Sequence, residues 1–379
     1  MGLGMILMEI FAQQAPGGGL LDNPLGLLLF YAPMLLFLFY GQRIQAFLIL
    51  SDISRSVGKL RLLKERARKE TIDHFKTHLK PSRDPTERVD QFLEYFTIMP
   101  VDLDPNGIVR KIEHLTNVRN DRVRSEITSL STVPDQVQTS VAENVIEVST
   151  SLNFLYKVIR HYYILGRRTK SFFILVQVQM ILPLILEIAD ALMSALSALK
   201  NLQPIGDGIG PMIVGKMMLK NEKVSIARDT VMGESEYNGR KLYLLKAEGP
   251  GGNVGEVGTA IEKLVQDMKI QPTAVVMIDA ALKLEGEKTG EIAEGIGAAI
   301  GGIGVDRFKI EEVASKHNVP VYAIVIKQSI MDAISTMKKE IAEAAEKVQT
   351  IIHRVIDERT KTGDSVIVIG VGNSLGVSQ

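Results

Sequence analysis

The sequence predicts an N-terminal transmembrane helix and an all-α segment, followed by an α/β domain with a mostly parallel sheet. Three observations predict it. Residues 24–41 form an uncharged apolar run. From about residue 51 to 200, apolar side chains recur at three- and four-residue spacing, the period of a helix with one buried face. Beyond Gln203, Gly becomes frequent, and short β-branched runs alternate with amphipathic stretches.

Composition narrows the function classes first. The 379 residues hold 44 Lys and Arg against 44 Asp and Glu, so no overall charge points to nucleic acid. Cys is absent, which removes disulfides, thiol nucleophiles, zinc-thiolate sites and iron–sulfur clusters together. No metal site and no cofactor is predicted. The six His lack ligand spacing; His74 and His78 stand four apart in a Lys/Arg-rich stretch and read as a solvated helix face.

The anchor is PLGLLLFYAPMLLFLFYG, Pro24 to Gly41. As a helix it rises about 27 Å, close to the ~30 Å hydrocarbon core. Tyr40 is suited to the interface. The apolar character resumes at Ile44–Leu50, giving a transmembrane helix with interfacial extension over 24–50. Residues 1–23 carry no Lys or Arg, whereas Arg43, Arg55, Lys59, Arg61, Lys64, Arg66, Arg68 and Lys69 follow the span. Positive charge stays inside. A single-pass cell-membrane protein is therefore expected, with 1–23 a short extracytoplasmic N-terminus and the C-terminal domain cytoplasmic. Residues 51–80 read as a basic amphipathic juxtamembrane helix able to lie on anionic lipid. A second apolar run, FFILVQVQMILPLIL at 172–186, is interrupted by Gln177, Gln179 and Pro183 and reads as a buried or oligomerising helix, with a second span as the alternative.

Residues 81–200 form the helical domain, in which no chemistry stands out. The α/β domain occupies 201–379. KVSIARDTVMGE and RKLYLLKAE flank a turn at Asn238-Gly239 and predict an antiparallel pair. A helix at 255–269, strand TAVVMIDA, a Gly-rich loop, helix KIEEVASKH, strand VPVYAIVI, a long helix to about Lys361 and strand SVIVIG follow. Fully apolar strands between amphipathic helices imply a sheet covered on both faces, with ligands beyond the carboxyl ends of its strands.

Two nucleotide-site patterns fail. GPMIVGKM at 210–217 lacks the hydroxyl that a phosphate loop offers to Mg²⁺, and GIGAAIGGIG contains no G-x-G-x-x-G. The chemistry gathers elsewhere. Asp279 lies near the end of a strand, Asp207 stands before a helix, and AEGPGGNVGEVG lies between them. Each carboxylate alone has a plain structural reading, as a strand-end residue or a helix cap.

The order GPGGNVGEVG…TAVVMIDAALK…GEIAEGIGAAIGGIGVDRF…NVPVYAIVIKQSIMDAI resembles the spore germination protease and, more distantly, the hydrogenase maturation proteases. PIGDGIGPMIVGKM is similar to their acidic helix start. The resemblance implies a phosphorylase/hydrolase-like three-layer sandwich, catalytic carboxylates at Asp207 and Asp279, and loop or substrate-binding roles for Gly249, Gly251, Gly252, Asn253, Gly255, Gly295, Gly297, Gly370, Gly372 and Asn373. In those families the strand ending Gly-x-Gly-Asn comes first; here VIVIGVGN comes last, as in a circular permutation that returns the strand beside Gly206–Gly210. The whole chain is similar to an uncharacterised archaeal membrane-anchored family, domain of unknown function 1512. The expected function is a homo-oligomeric binding or scaffold component at the lipid bilayer. The alternative is a membrane-tethered aspartate-dependent peptidase acting on a polypeptide.

Overall fold

The structure is a computed structural model and describes residues 24–100, 107–132, 135–302 and 304–378. The expected extracytoplasmic segment 1–23 and the side chain of Tyr40 lie outside the described residues. The chain forms two compact units, Met1–Gly58 with Val158–Pro183 and Lys59–Lys157 with Leu184–Gln379.

The N-terminal half is helical. Helix α1 runs without a break over Pro24–His74, so the apolar run and the basic stretch are one helix. It ends in a π-helical turn, Phe75–Leu79, which buries Phe75 and Leu79. Helices α2 (Thr86–Leu93), α3 (Ile108–Leu130), α4 (Gln136–Thr169) and α5 (Phe172–Lys200) follow. Within the larger unit, Phe75, Leu79, Val89, Phe92, Ile127 and Ala142 build one apolar core. Polar contacts sit beside it. Thr71 and Ser149 share a hydrogen bond of 2.6 Å, and Asn153 donates to the Leu93 carbonyl at 2.8 Å. His74 corrects the reading of a solvated face: it is 3% exposed, while His78 is exposed and stacks on it with ring centroids 4.4 Å apart.

Helix α5 also departs from expectation. It spans 29 residues, nearly twice the predicted run, with Pro183 inside it. It is long and apolar enough to cross a membrane. Phe173, Met180, Ile181 and Leu184 are exposed, so most of its apolar surface is not buried within the chain.

The C-terminal domain is a mixed seven-stranded sheet in the order β1-β2-β3-β7-β4-β6-β5. Strands β1 (Lys223–Ala227), β2 (Thr230–Tyr237) and β3 (Arg240–Ala247) form an antiparallel meander. The segment KVSIARDTVMGE is thus two strands, because Asp229 takes a left-handed backbone (φ 50°) and folds the chain back. Asn238 and Gly239, with φ 48° and 73°, make the predicted hairpin turn, the positive-φ pair whose twist matches the strands. Strands β3, β7 (Ser365–Gly370), β4 (Ala274–Leu282) and β6 (Val321–Gln328) are parallel. Strand β5 (Ile292–Ile296) joins β6 antiparallel at the edge, where a loop was expected.

Both faces are covered, as the continuous apolar strands require. Helices α6 (Ile209–Met218) and α10 (Lys339–Arg359) pack on one face over Leu244, Val276, Ile326 and Val368. Helices α7 (Val257–Glu262) and α8 (Val305–His317) pack on the other over Leu245, Val275, Met277 and Ile369. The predicted long helix before β7 is interrupted: short α9 (Ile330–Ile334) precedes α10, and Asp332 and Ser329 form a capping box at its start.

Candidate functional site

Strand β7 is apolar after Ser365 and sits between β3 and β4. Its last residue, Gly370, pairs with Ile278, whereas β4 continues to Leu282. Asp279 is therefore the first β4 residue beyond the end of its neighbour. Side chains alternate along a strand, and Val275 and Met277 face α7 and α8, so Asp279 falls on that same face. The chain leaves β7 through Val371, whose N–H donates to the Ile278 carbonyl at 2.8 Å.

The next residues clasp Asp207. Gly372 has φ +127°, and a Cβ there would lie 2.0 Å from the Asp207 carbonyl oxygen. The Asn373 N–H then donates to Asp207 Oδ2 at 2.8 Å. Below this, Gly370 meets the start of α6 so closely that its Cβ would lie 2.4 Å from the Gly210 oxygen. The last strand thus runs directly against Gly206–Gly210. It brings Asp207, on a single 3₁₀ turn (Gly206–Gly208), beside Asp279 from the middle of the sheet.

The electrostatics follow from that placement. Asp279 is 8% exposed, and its Oδ1 accepts the Ala280 N–H at 2.7 Å. Burial first, and the neighbouring Asp207 charge second, push its carboxyl up to about 8. Burial also raises Asp207, while the Asn373 N–H pulls the other way. Among the described residues, no Lys or Arg forms an ion pair with either carboxylate.

The pair lines a cavity of about 640 Å³, together with Gly252–Glu256, Thr259, Asp306, Lys309 and Gly372. Helices α3 and α4 supply other walls, including Arg119, Arg124, Glu143 and Asn144. Their attachment is specific. Ser140 Oγ donates to the Gly251 carbonyl at 2.6 Å, and Asn144 Nδ2 to the Gly252 carbonyl at 3.0 Å. Arg124 joins Glu143 at 2.8 Å and Asp229 at 2.9 Å, and these carboxylates hold its guanidinium well above the usual arginine range. Lys309 pairs with Glu113.

The residues expected from sequence divide accordingly. Gly252, Asn253, Gly255 and Gly372 line the cavity with the two carboxylates. Asn373 is buried and braces the loop, donating from Nδ2 to the Gly252 carbonyl at 3.1 Å. Gly249 and Gly251 are packing positions; a Cβ on Gly249 would lie 1.9 Å from the Val377 oxygen, and one on Gly251 would meet Ser140. Gly370 supports α6. Gly295 belongs to edge strand β5 and Gly297 follows it; neither lines the cavity, which takes Ile300, Gly301, Gly302 and Gly304 from that region instead.

Sequence reasoning missed Ser140, Asn144, Arg124 and Asp306. Asp306 accepts the Gly258 N–H at 2.8 Å, and burial raises its carboxyl. The available signal was Ser140 and Asn144, two polar residues one turn apart on a helix face whose neighbours are buried. Among the described residues, no three His, Cys, Asp or Glu stand together as a metal site.

These features define an α/β domain whose carboxylate-floored cavity is walled partly by the preceding helices of the same unit. The chain belongs to the DUF1512 family: residues 27–202 match its N-terminal domain, described as a protein of unknown function, and residues 205–378 match its C-terminal domain of unknown function. No curated protein matches the chain.

Proposed function

We propose that this protein is a membrane-tethered, aspartate-dependent hydrolase that cleaves an amide bond in a polypeptide, on a permuted phosphorylase/hydrolase-like domain related to the germination and maturation proteases. The observation that carries the reading is the carboxylate pair. Two acids from separate elements, Asp279 buried and Asp207 partly buried, flank the open end of β7 in a cavity large enough for a few residues of extended chain, and neither pairs with a Lys or Arg among the described residues. Structural acids are normally neutralised where they are buried, so an unneutralised pair in a cleft supports acid–base chemistry.

In this mechanism the two acids share one proton: Asp279 carries it, and Asp207, which accepts the Asn373 N–H, is the base. Water attacks the substrate carbonyl carbon, its proton passes to Asp207, and Asp279 protonates the carbonyl oxygen. The tetrahedral species then collapses: the C–N bond breaks, Asp207 gives its proton to the leaving nitrogen, and the hydroxyl proton returns to Asp279. The N–H groups of Gly252, Val254 and Gly255 have no hydrogen-bond partner among the described residues and are available to hold substrate backbone.

The tether rests on the uncharged start of α1 and on the exposed apolar surface of α5. The N-terminus lies outside and the catalytic domain in the cytoplasm, following the basic residues after the span.

A non-catalytic binding or scaffold role has one supporting observation: Ser140 and Asn144 already occupy two carbonyls of the Gly-rich loop. The deciding experiment is cleavage of a peptide library by the detergent-solubilised full chain, beside Asp207→Asn and Asp279→Asn. Cleavage lost in both variants supports the hydrolase. Cleavage equal in all three, or in none, leaves the binding role.

A further inference from the structure

The proposed chemistry does not use the turn between α4 and α5. It lies wholly within the smaller unit. Helix α4 ends at Thr169, Lys170 adopts a left-handed backbone (φ 54°), and α5 begins at Phe172. The hairpin is closed tightly: Gly166 is buried, and a Cβ on it would lie 2.6 Å from Leu175 Cδ2. The tip is therefore a defined feature.

Its charge is one-sided. Arg167, Arg168 and Lys170 are exposed. None of them forms an ion pair with an acid among the described residues, and Arg167 rests on the Tyr163 ring at 5.9 Å. No Asp or Glu occurs between Glu147 and Glu187. The described part of the unit holds six basic residues (Arg43, Arg55, Arg160, Arg167, Arg168, Lys170) against Asp52 alone, a net of five positive charges.

The same unit exposes large apolar side chains, including Phe47, Leu48, Phe173, Met180 and Ile181. Among its described side chains, Ile49 and Ile53 of α1, Ile159 of α4 and Leu175, Val178 and Leu182 of α5 are buried. On α1 the described side chains at Leu27, Phe30, Tyr31 and Met34 are all exposed.

We propose that the Arg167–Lys170 hairpin tip is a docking surface for the anionic headgroups of the leaflet beside which α1 ends its apolar run. Charge complementarity selects this occupant. A second copy would set like charge against like, whereas phosphate-bearing headgroups neutralise it and accept Phe173 into the acyl boundary. Tyr162 and Tyr163, one turn before the basic residues, have the amphipathic character that favours this depth. The inference rests on the membrane tether of the preceding section. It adds that the tether senses lipid charge.

The chain has no Cys, so a Thr169→Cys variant of the full chain accepts a single environment-sensitive dye at the tip. It is reconstituted into phosphatidylcholine vesicles, or into vesicles of equal parts phosphatidylcholine and phosphatidylglycerol, and floated. The expected result is flotation with both, and a blue-shifted dye in the anionic vesicles alone, reversed by molar salt. Adding Arg167→Ala, Arg168→Ala and Lys170→Ala lowers the bound-to-free ratio of the tip about a hundred-fold, at roughly five-fold per charge, without releasing the protein. Flotation with both vesicles and a water-like dye in each overturns the headgroup proposal and leaves the tether standing. An unchanged dye response in the triple variant overturns it equally. Flotation with neither overturns both.

Discussion

Asp279→Asn separates a carboxylate kept for chemistry from one kept for structure. An unfolded aspartate titrates near 3.8, whereas burial and Asp207 hold the folded group at about 8. The folded protein therefore binds this proton more tightly than the unfolded chain. Its stability from this group is complete below about pH 4 and is lost as pH rises through 8. At about 1.4 kcal/mol per unit, the loss reaches roughly 5 kcal/mol above pH 8. Asn does not titrate, and its Oδ1 keeps the Ala280 N–H. The variant is expected to match the parent near pH 3 and to melt roughly 10 °C higher at pH 9, using ~2–4 °C per kcal/mol for a domain of this size. Thermal unfolding of both proteins across pH 3–9, followed by circular dichroism in detergent, reads this directly. A Tm difference that does not change with pH, or a variant less stable at pH 9, would refute the reasoning. Stabilisation together with lost cleavage is the trade expected of a functional acid.

Two further perturbations probe the frame. Gly372→Ala places a Cβ against the Asp207 carbonyl at a backbone angle that L-residues avoid; it should cost at least ~3 kcal/mol, seen as a lower urea midpoint, and an unchanged midpoint would mean that the clasp is not rigid. His74 is buried, neither ring nitrogen has a partner among the described residues, and burial lowers it to about 4 from 6.5. Its stability contribution is present above pH 6.5 and lost as pH falls towards 4, by roughly 3 kcal/mol, so His74→Leu should remove that part of the acid unfolding; identical acid midpoints would rule it out.

The sequence made the parallel strands readable because β4, β6 and β7 are uninterrupted apolar runs, and the Asn238-Gly239 turn was readable from local chemistry alone. Strand β5 was not. IAEGI has Gly where a strand needs packing, and only its ladder with β6 makes it a strand. His74 was misplaced because a basic stretch implies solvent, while its burial comes from the apolar core that Ile72, Phe75 and Leu79 on either side of it join. The carboxylates were visible as residues, but their shared cavity was not. It depends on β7 entering between β3 and β4 and on Ser140 and Asn144 reaching the Gly-rich loop, both long-range facts.

That insertion also ties the site to the centre of the sheet. Among the described residues, the three-strand meander β1-β2-β3 and the β4-β6-β5 group share no ladder with one another; β7 pairs with both and joins them. The residues immediately after β7 are the ones that position Asp207, through Gly372 and the Asn373 N–H, and that brace the Gly-rich loop, through Asn373 Nδ2 and the Ser374 hydroxyl, which donates to the Glu248 carbonyl at 2.6 Å. Strand β6 also holds β4 in register, with Asp279 opposite Val325. What the chain after β7 adds is the clasp that sets Asp207 at the same open end of the sheet. The energy that opposes burial of the acids is met by the apolar burial of Val366, Ile367, Val368 and Ile369 at the centre of the sheet. The acid pair is tolerable in this fold because it sits at the end of a strand whose central residues are all buried and apolar.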